Sequence, residues 1–539
     1  MLTSLRVKNF KGFSDAEIEL GRTVLFVGPS NSGKTAALQA LALWETGLRK
    51  WLEKQSAGQV TEVTIGRRDL VSVPIPSANL LWRDLHTPAG PLEIAVSGVS
   101  GNKEWHCGFE FHYANEESFY CRLGGAQTQA HEAAASIRVA FLPAMSGLAA
   151  TEDRLDSGSI DVRIGEGRTA EVLRNLCYRI SSRDGEQTWE ALVQQIDHLF
   201  GVRLNAPLYI KERGQITMSY REGAVELDVA RSGRGLQQTL LLLALLYTHP
   251  NSVLLLDEPD AHLEILRQRQ IYHVLTDTAE RNGCQVIAAS HSEVILEEAA
   301  DRDIVVAFVG KPHRIDDRGS QVLKSLRAIG FDQYYQAEQT GWVLYLEGST
   351  DLAILRAFAE RLQHPAAATL ARPFVHYVGN LPQKARDHFF GLREAKRDLV
   401  GIALYDSLDR DLPERSSLVE MKWERREIAN YLAYPETLLA YAENEFSAVP
   451  AMEAAVSEVS AARKTLRKPD PFSDSAKASD DCLDPIFSLY FEKLALPNLM
   501  QKTDYHALVK FVPEEMIASE ITTKLDEIDR VARTARPLL

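Results

Sequence analysis

The sequence predicts an α/β protein of two successive α/β domains, the first interrupted by a helical insertion and the second followed by a helical C-terminal segment. Three observations carry this. A buried strand, Thr23–Val27, runs into a glycine-rich turn and then an apolar helix from Thr35. A second apolar strand, from Ser252, ends in the paired acids Asp257 and Glu258. Two later buried stretches, Val343–Leu346 and Leu399–Tyr405, also end in carboxylates. A chain of 539 residues is too long for one compact core.

Each element follows from its pattern. Ser4–Phe10 and Ala16–Leu20 alternate with the period of strands, and 69–113 reads as short strands punctuated by Pro and Gly. From about 150 to 205 apolar residues recur at helical spacing, in Glu171–Ile180 and Trp189–Phe200, without sustained heptads. Strand patterns resume at Pro207–Val229, and helix and strand alternate to about 310. A second α/β stretch begins near Trp342. Residues 445–485, rich in Ala, Ser, Asp and Lys, read as a helix followed by a loose, exposed connection. The expected boundaries are 1–340, 341–440 and 441–539.

Composition narrows the classes. A hydrophobic fraction of 45% with 25% charged residues is that of a soluble globular protein. The net charge of −14 argues against a wholly basic protein that coats nucleic acid, but a basic groove on an acidic body still admits DNA. The N-terminus lacks the layout of a signal peptide, and the longest apolar run, Leu240–Tyr247, is far short of a membrane span. Five scattered cysteines without metal-like spacing read as reduced thiols, so a cytoplasmic protein without membrane attachment is expected.

The turn Gly28-Pro29-Ser30-Asn31-Ser32-Gly33-Lys34-Thr35 fits G-x-x-x-x-G-K-[ST] between strand and helix. Its backbone N–H groups would cradle phosphates, with Lys34 on the β- and γ-phosphates of ATP and Thr35 on Mg²⁺. Asp257 would hold the same Mg²⁺, and Glu258 would orient or deprotonate the attacking water. Ser232, Gly233 and Gly235 open a helix about twenty residues before the acid pair. His291 closes the strand that ends Ala288-Ala289-Ser290.

In this order the four motifs resemble an ABC-type ATPase. Residues 1–340 resemble its RecF/OLD branch, through the opening Leu5-Arg6-Val7-Lys8-Asn9-Phe10-Lys11-Gly12-Phe13 and the run Asp257–Glu264. The resemblance implies that Ser232, Gly233 and Gly235 form the signature that closes a second protomer's site, that His291 senses the γ-phosphate, and that the heads dimerise, with a tetramer as a further option. Arg234 stands where the usual signature has glycine, and no clear Q-loop glutamine is found, which implies slow hydrolysis or a switch.

Downstream, Glu347-Gly348 with Asp351, then Asp406 and Asp409, end parallel-type strands and would meet at one sheet edge. Clustered carboxylates recruit hard divalent cations. This layout resembles the TOPRIM domain of OLD-family nucleases, which implies Mg²⁺ or Mn²⁺ held by Glu347, Asp351, Asp406 and Asp409. The family's Asp-x-Asp is altered, since position 408 is Leu, and Asp411 is a weaker ligand candidate. The stretch Trp423–Leu432 resembles a further family segment, with Ala429 where an acid often stands; Glu427 within it reads equally as a surface charge. Lys502 is a candidate cation for the scissile phosphate, and equally a solvated lysine. The resemblance implies an ATP-regulated, metal-dependent endonuclease acting on double-stranded DNA, in bacterial anti-phage defence and with a defence partner protein. The competing expectation is a nucleotide-gated sensor whose second domain is degenerate.

Overall fold

In a computed structural model the chain divides into two compact units, Met1–Leu323 and Lys324–Leu539. The structure describes residues 1–56, 61–87, 90–101, 103–124, 134–144, 148–183, 186–300, 302–315, 329–409, 411–413 and 416–537. Among them, no helix is long and apolar enough to cross a membrane.

The N-terminal unit holds two six-stranded sheets. One is antiparallel, in the order Phe13–Glu19, Leu2–Phe10, Leu92–Ser100, Lys103–Asn115, Ser118–Leu123, Val63–Gly66. The other runs His313–Arg314, Ile304–Ala307, Thr23–Val27, Gln285–Ser290, Val253–Asp257, Val139–Leu142. Its strands are parallel except for the edge strand His313–Arg314. Parallel strands covered on both faces read as unbroken apolar runs, which is why Val24–Val27 and Val253–Leu256 are buried throughout.

The helix Lys34–Gln55 packs against strands of both sheets. A helix facing two sheets has little room for polar residues over its middle turns, and Ala40–Trp44 are accordingly buried without interruption. The Trp44 indole stacks on Trp105, with centroids 6.1 Å apart, and donates to the Cys107 carbonyl at 2.9 Å. Fully burying a side chain of Leu size contributes about 1.5–3 kcal/mol, so this helix is firmly anchored behind the glycine-rich turn. The helical insertion comprises Ser157–Gly165, Leu173–Arg183 and Glu186–Phe200, the last two packing on the helix Arg234–Thr248.

The C-terminal unit is built on a four-stranded parallel sheet ordered Val375–Tyr377, Trp342–Leu346, Val400–Tyr405, Leu418–Lys422. The first crossover steps to one side of Trp342–Leu346 and the second returns past it, so right-handed connections put the helices Ser349–Arg361 and Pro382–Ala395 on opposite faces. The order reverses between the strands ending at Leu346 and Tyr405, and the crevice at their carboxyl ends is the switch point of the sheet.

Two sequence expectations are corrected here. The boundary set at 340 lies earlier, because the helix Phe331–Thr340 packs on the second unit: Tyr334 and Ala337 are buried, and Glu338 forms a buried ion pair with Lys396 at 3.2 Å. Nor is 445–485 loose to its end. Ala476, Ala478, Cys482 and Leu483 are buried in the same core as the sheet, and Asn430 Nδ2 donates to the Ala476 carbonyl at 2.9 Å.

Candidate functional site

The parallel order of the first unit brings three strand ends together: Val27 before the glycine-rich turn, Ser290 before His291, and Asp257. The turn needs its glycines. Gly28 has φ 152° and a Cβ there would lie 2.9 Å from the Phe308 carbonyl oxygen, while Gly33, at φ 102°, caps the helix under the Phe13 ring. Asn31 is also left-handed. Lys34 Nζ donates to the carbonyls of Gly28 at 2.6 Å and Pro29 at 2.7 Å. Burial lowers the Lys34 pKa, against the charges of Glu258, Asp257 and Asp260. Ser32 Oγ is buried without a protein partner, a polar atom left for a phosphate.

Thr35 and Asp257 stand as one pair: the Thr35 hydroxyl donates to Asp257 Oδ2 at 3.0 Å and lies 3.1 Å from Oδ1. Burial raises the Asp257 carboxyl, with Glu258 adding to it. An oxygen pair beside a carboxylate whose charge is poorly solvated suits Mg²⁺, so the donor set fits the ion. Glu258 and His291 face each other at 3.5 Å. Asp260, unassigned on sequence, is buried and feels the charges of both; burial raises its carboxyl, and the Ser290 hydroxyl is its hydrogen-bond partner. The Asp-Glu-Pro-Asp spacing was the signal for it.

The signature candidates lie elsewhere in the unit. Gly233 caps the helix Arg234–Thr248, which packs against the insertion helices and the helix Ile265–Arg281. The Ser232 hydroxyl donates to the Val229 carbonyl at 2.7 Å. Gly233 has φ −61° and open space where a Cβ would stand, so nothing among the described residues demands glycine there. Gly235 sits beside the Leu263 side chain.

In the second unit, Glu347, Asp351, Asp406 and Glu427 form a carboxylate cluster at the switch point. Asp406 shares a hydrogen bond with Glu347. Burial first, then Glu347, then Glu427 and Asp351, raises the Asp406 carboxyl well above the ordinary range. Asp351 Oδ2 accepts from the backbone N–H groups of Glu347 at 3.1 Å and Gly348 at 3.4 Å, yet burial and the Glu347 charge push its pKa up to about 6. Burial also raises Glu427, whose Oε1 accepts from Ser479 N at 2.5 Å. Asn380, in the left-handed region, accepts from Asp406 N at 3.1 Å and pins that strand end. Hard oxygens carrying uncompensated charge suit a divalent cation, although no three acidic, His or Cys side chains among the described residues already converge as a cage.

Two predicted residues fall outside this cluster. Asp409 is exposed and is not among the charges that act most strongly on Asp406. Lys422 Nζ holds the Leu408 carbonyl at 2.9 Å, and the exposed Asp411 follows further along the same connection. Lys502 is half-exposed and paired with Asp480. Lys477 is instead the cation that feels the cluster: against burial, its bond to Asp480 and the charges of Glu427, Asp480 and Glu347 hold its pKa above the ordinary value. No motif announces Lys477; Glu427, three residues before Asn430, carries a capping-box spacing that could have marked it as buried.

Residues 156–297 match the family model described as "AAA domain, putative AbiEii toxin, Type IV TA system", and residues 1–56 match "AAA ATPase domain". Among solved structures, the SMC head domain from Thermotoga maritima is 17% identical, with 58% of this chain and 98% of that one covered and a TM-score of 0.34. The Smc head domain with an extended coiled coil, bound to the C-terminal domain of ScpA and derived from Pyrococcus furiosus, is 15% identical, with 60% and 99% covered and a TM-score of 0.35. No curated protein matches the chain. The two family matches support an ATP-binding, AAA-type P-loop ATPase.

Proposed function

We propose that this chain is an ATP-regulated, Mg²⁺-dependent DNA endonuclease of the OLD type, its ATPase heads dimerising on ATP, in the setting of anti-phage defence. The observation that supports the nuclease half is the hydrogen-bonded Glu347–Asp406 pair at a parallel-sheet switch point, buried beside Asp351 and Glu427. Bound there, a divalent ion would supply charge neutralisation for the attacking and leaving oxygens of a phosphodiester. Glu347, Asp351, Asp406 and Glu427 are the residues to hold it, and Lys477 offers a cation at the rim.

In the heads, Gly28–Thr35 would bind the phosphates, and Thr35 with Asp257 would hold Mg²⁺. Glu258 would accept the proton of the attacking water, and His291, 3.5 Å from it, would sense the γ-phosphate. The test is cleavage of supercoiled plasmid by the full chain with Mg²⁺ or Mn²⁺, with and without ATP, beside Glu347→Ala and Lys34→Ala. Nicking that disappears in Glu347→Ala is the expected result. The second reading, a nucleotide-gated sensor with a degenerate metal site, draws on the unformed cage and on Ala429. It replaces the first if ATP binds while no condition gives cleavage.

A further inference from the structure

Arg174 lies in the helical insertion, far from both carboxylate sites in sequence, and only 1% of its side chain is exposed. Its guanidinium donates to the Ala149 carbonyl at 3.0 Å, the Ala150 carbonyl at 3.4 Å and Asp228 Oδ1 at 3.1 Å. A planar fork with all three acceptors in reach fixes three chain segments relative to one another. Behind it, Glu152 accepts from the backbone N–H groups of Arg174 at 2.9 Å and Asn175 at 2.6 Å, and from Asn175 Nδ2 at 2.7 Å. The insertion helix is therefore locked at its first turn.

Asp228 faces the other way. The oxygen that receives Arg174 also accepts from Ala230 N at 2.7 Å and caps the single turn Val229–Arg231. That turn hands over directly to Ser232, whose N–H donates to the Val229 carbonyl at 3.2 Å, and Gln237 Nε2 donates to the Ser232 carbonyl at 3.0 Å. A continuous chain of hydrogen bonds thus runs from the buried insertion to the Ser232-Gly233 helix start.

We infer that Arg174 and Asp228 are positioning residues for ATP hydrolysis, holding the Val229–Gly233 turn so that it meets the nucleotide bound by a second copy of the chain. This rests on the reading of Ser232-Gly233 as the signature. Arg174 aims Asp228, Asp228 aims the turn, and neither touches the nucleotide.

The test uses the full chain and three measurements: ATP hydrolysis, equilibrium ATP binding and thermal unfolding. Asp228→Ala removes both the cap and Arg174's outward partner at a half-exposed position. Its kcat falls about tenfold or more with ATP affinity unchanged, since the P-loop is untouched, while Tm drops only by the loss of a cap and of a buried guanidinium's partner. Asp228→Asn keeps an acceptor oxygen and restores the rate. Mixed with Lys34→Ala, Asp228→Ala regains about a quarter of wild-type activity, because half the dimers are mixed and each of those has one complete site. Arg174→Lys, which loses the fork, repeats the kcat defect. Wild-type kcat in Asp228→Ala, or a rate loss matched by lost ATP binding and not rescued by Asn, overturns the inference. Ser232→Arg separates the two layers. Unaltered hydrolysis there sinks the signature reading itself, whereas a dead Ser232→Arg beside a fully active Asp228→Ala sinks only the positioning role.

Discussion

His388 offers a prediction whose size follows from its surroundings. It lies in the core of the C-terminal unit, on the helix Pro382–Ala395, stacked on His376 with ring centroids 3.8 Å apart and planes 6° from parallel. Its Nδ1 lies 2.8 Å from the Tyr345 hydroxyl, and its Nε2 lies 2.5 Å from Gln333 Oε1. A neutral ring with the proton on Nε2 satisfies both partners. Burial, then the charges of His376 and Lys384, lowers its pKa to about 3 from an ordinary 6.5. The unfolded chain therefore binds a proton between about pH 6.5 and 3 that the folded chain refuses, so stability falls as the pH drops through that window. At pH 5 the loss from this one residue is about 2 kcal/mol relative to pH 7.5. For a unit of this size that lowers Tm by roughly 4–8 °C. Thermal unfolding of wild type and His388→Gln at pH 7.5 and 5.0 isolates the effect, because apart from its stacked neighbour His376 the other titrations are common to both chains. His388→Gln loses less Tm on acidification by that margin. Equal losses in the two proteins would refute the reasoning. Tyr345 lies on the strand Trp342–Leu346, one residue beyond whose end stands Glu347, so the assay also reports on the footing of the carboxylate site.

Other outcomes follow from the same geometry. Glu258→Gln keeps ATP binding but slows hydrolysis by roughly 10²-fold or more, and equilibrium binding beside phosphate release separates the two effects. In plasmid nicking, Glu427→Gln is severely impaired while Asp409→Asn stays near wild type; the reverse ranking would restore the spacing read from sequence. Gly233→Ala folds with unchanged Tm, since nothing surrounds its Cβ position, yet loses ATP hydrolysis if a second copy's nucleotide approaches that backbone. Gly28→Ala, by contrast, loses both stability and ATP binding, because its Cβ would press on the Phe308 carbonyl.

The parts legible in the sequence were those written contiguously. The residues Gly28–Thr35 lie within one turn, and the apolar runs before Asp257, Glu347 and Asp406 mark parallel strands without reference to anything distant. The second carboxylate site was only half legible, because its last members arrive by tertiary contact. Ser407 N donates to the Arg426 carbonyl at 3.0 Å, which draws the segment carrying Glu427 to the strand end beside Asp406. Ser479 N, fifty-two positions on, then holds the Glu427 carboxylate in place. Neither bond leaves a periodic trace, and the Ala- and Ser-rich stretch that supplies Lys477 and Ser479 has the composition of a loop. Residues 331–340 show the same limit: an amphipathic helix declares a buried face, not which unit buries it.

Glu258 carries a consequence of its own. Its φ of 50° is left-handed, and its N–H donates to the Ala289 carbonyl at 2.9 Å, two residues before His291. A side chain held in that region costs about 1 kcal/mol that glycine would not incur. The position chosen for the carboxylate is thus one where the fold itself favours a residue without any side chain. Loss of hydrolysis and gain of stability point the same way here: Glu258→Gly would silence the head and relax the backbone in a single substitution.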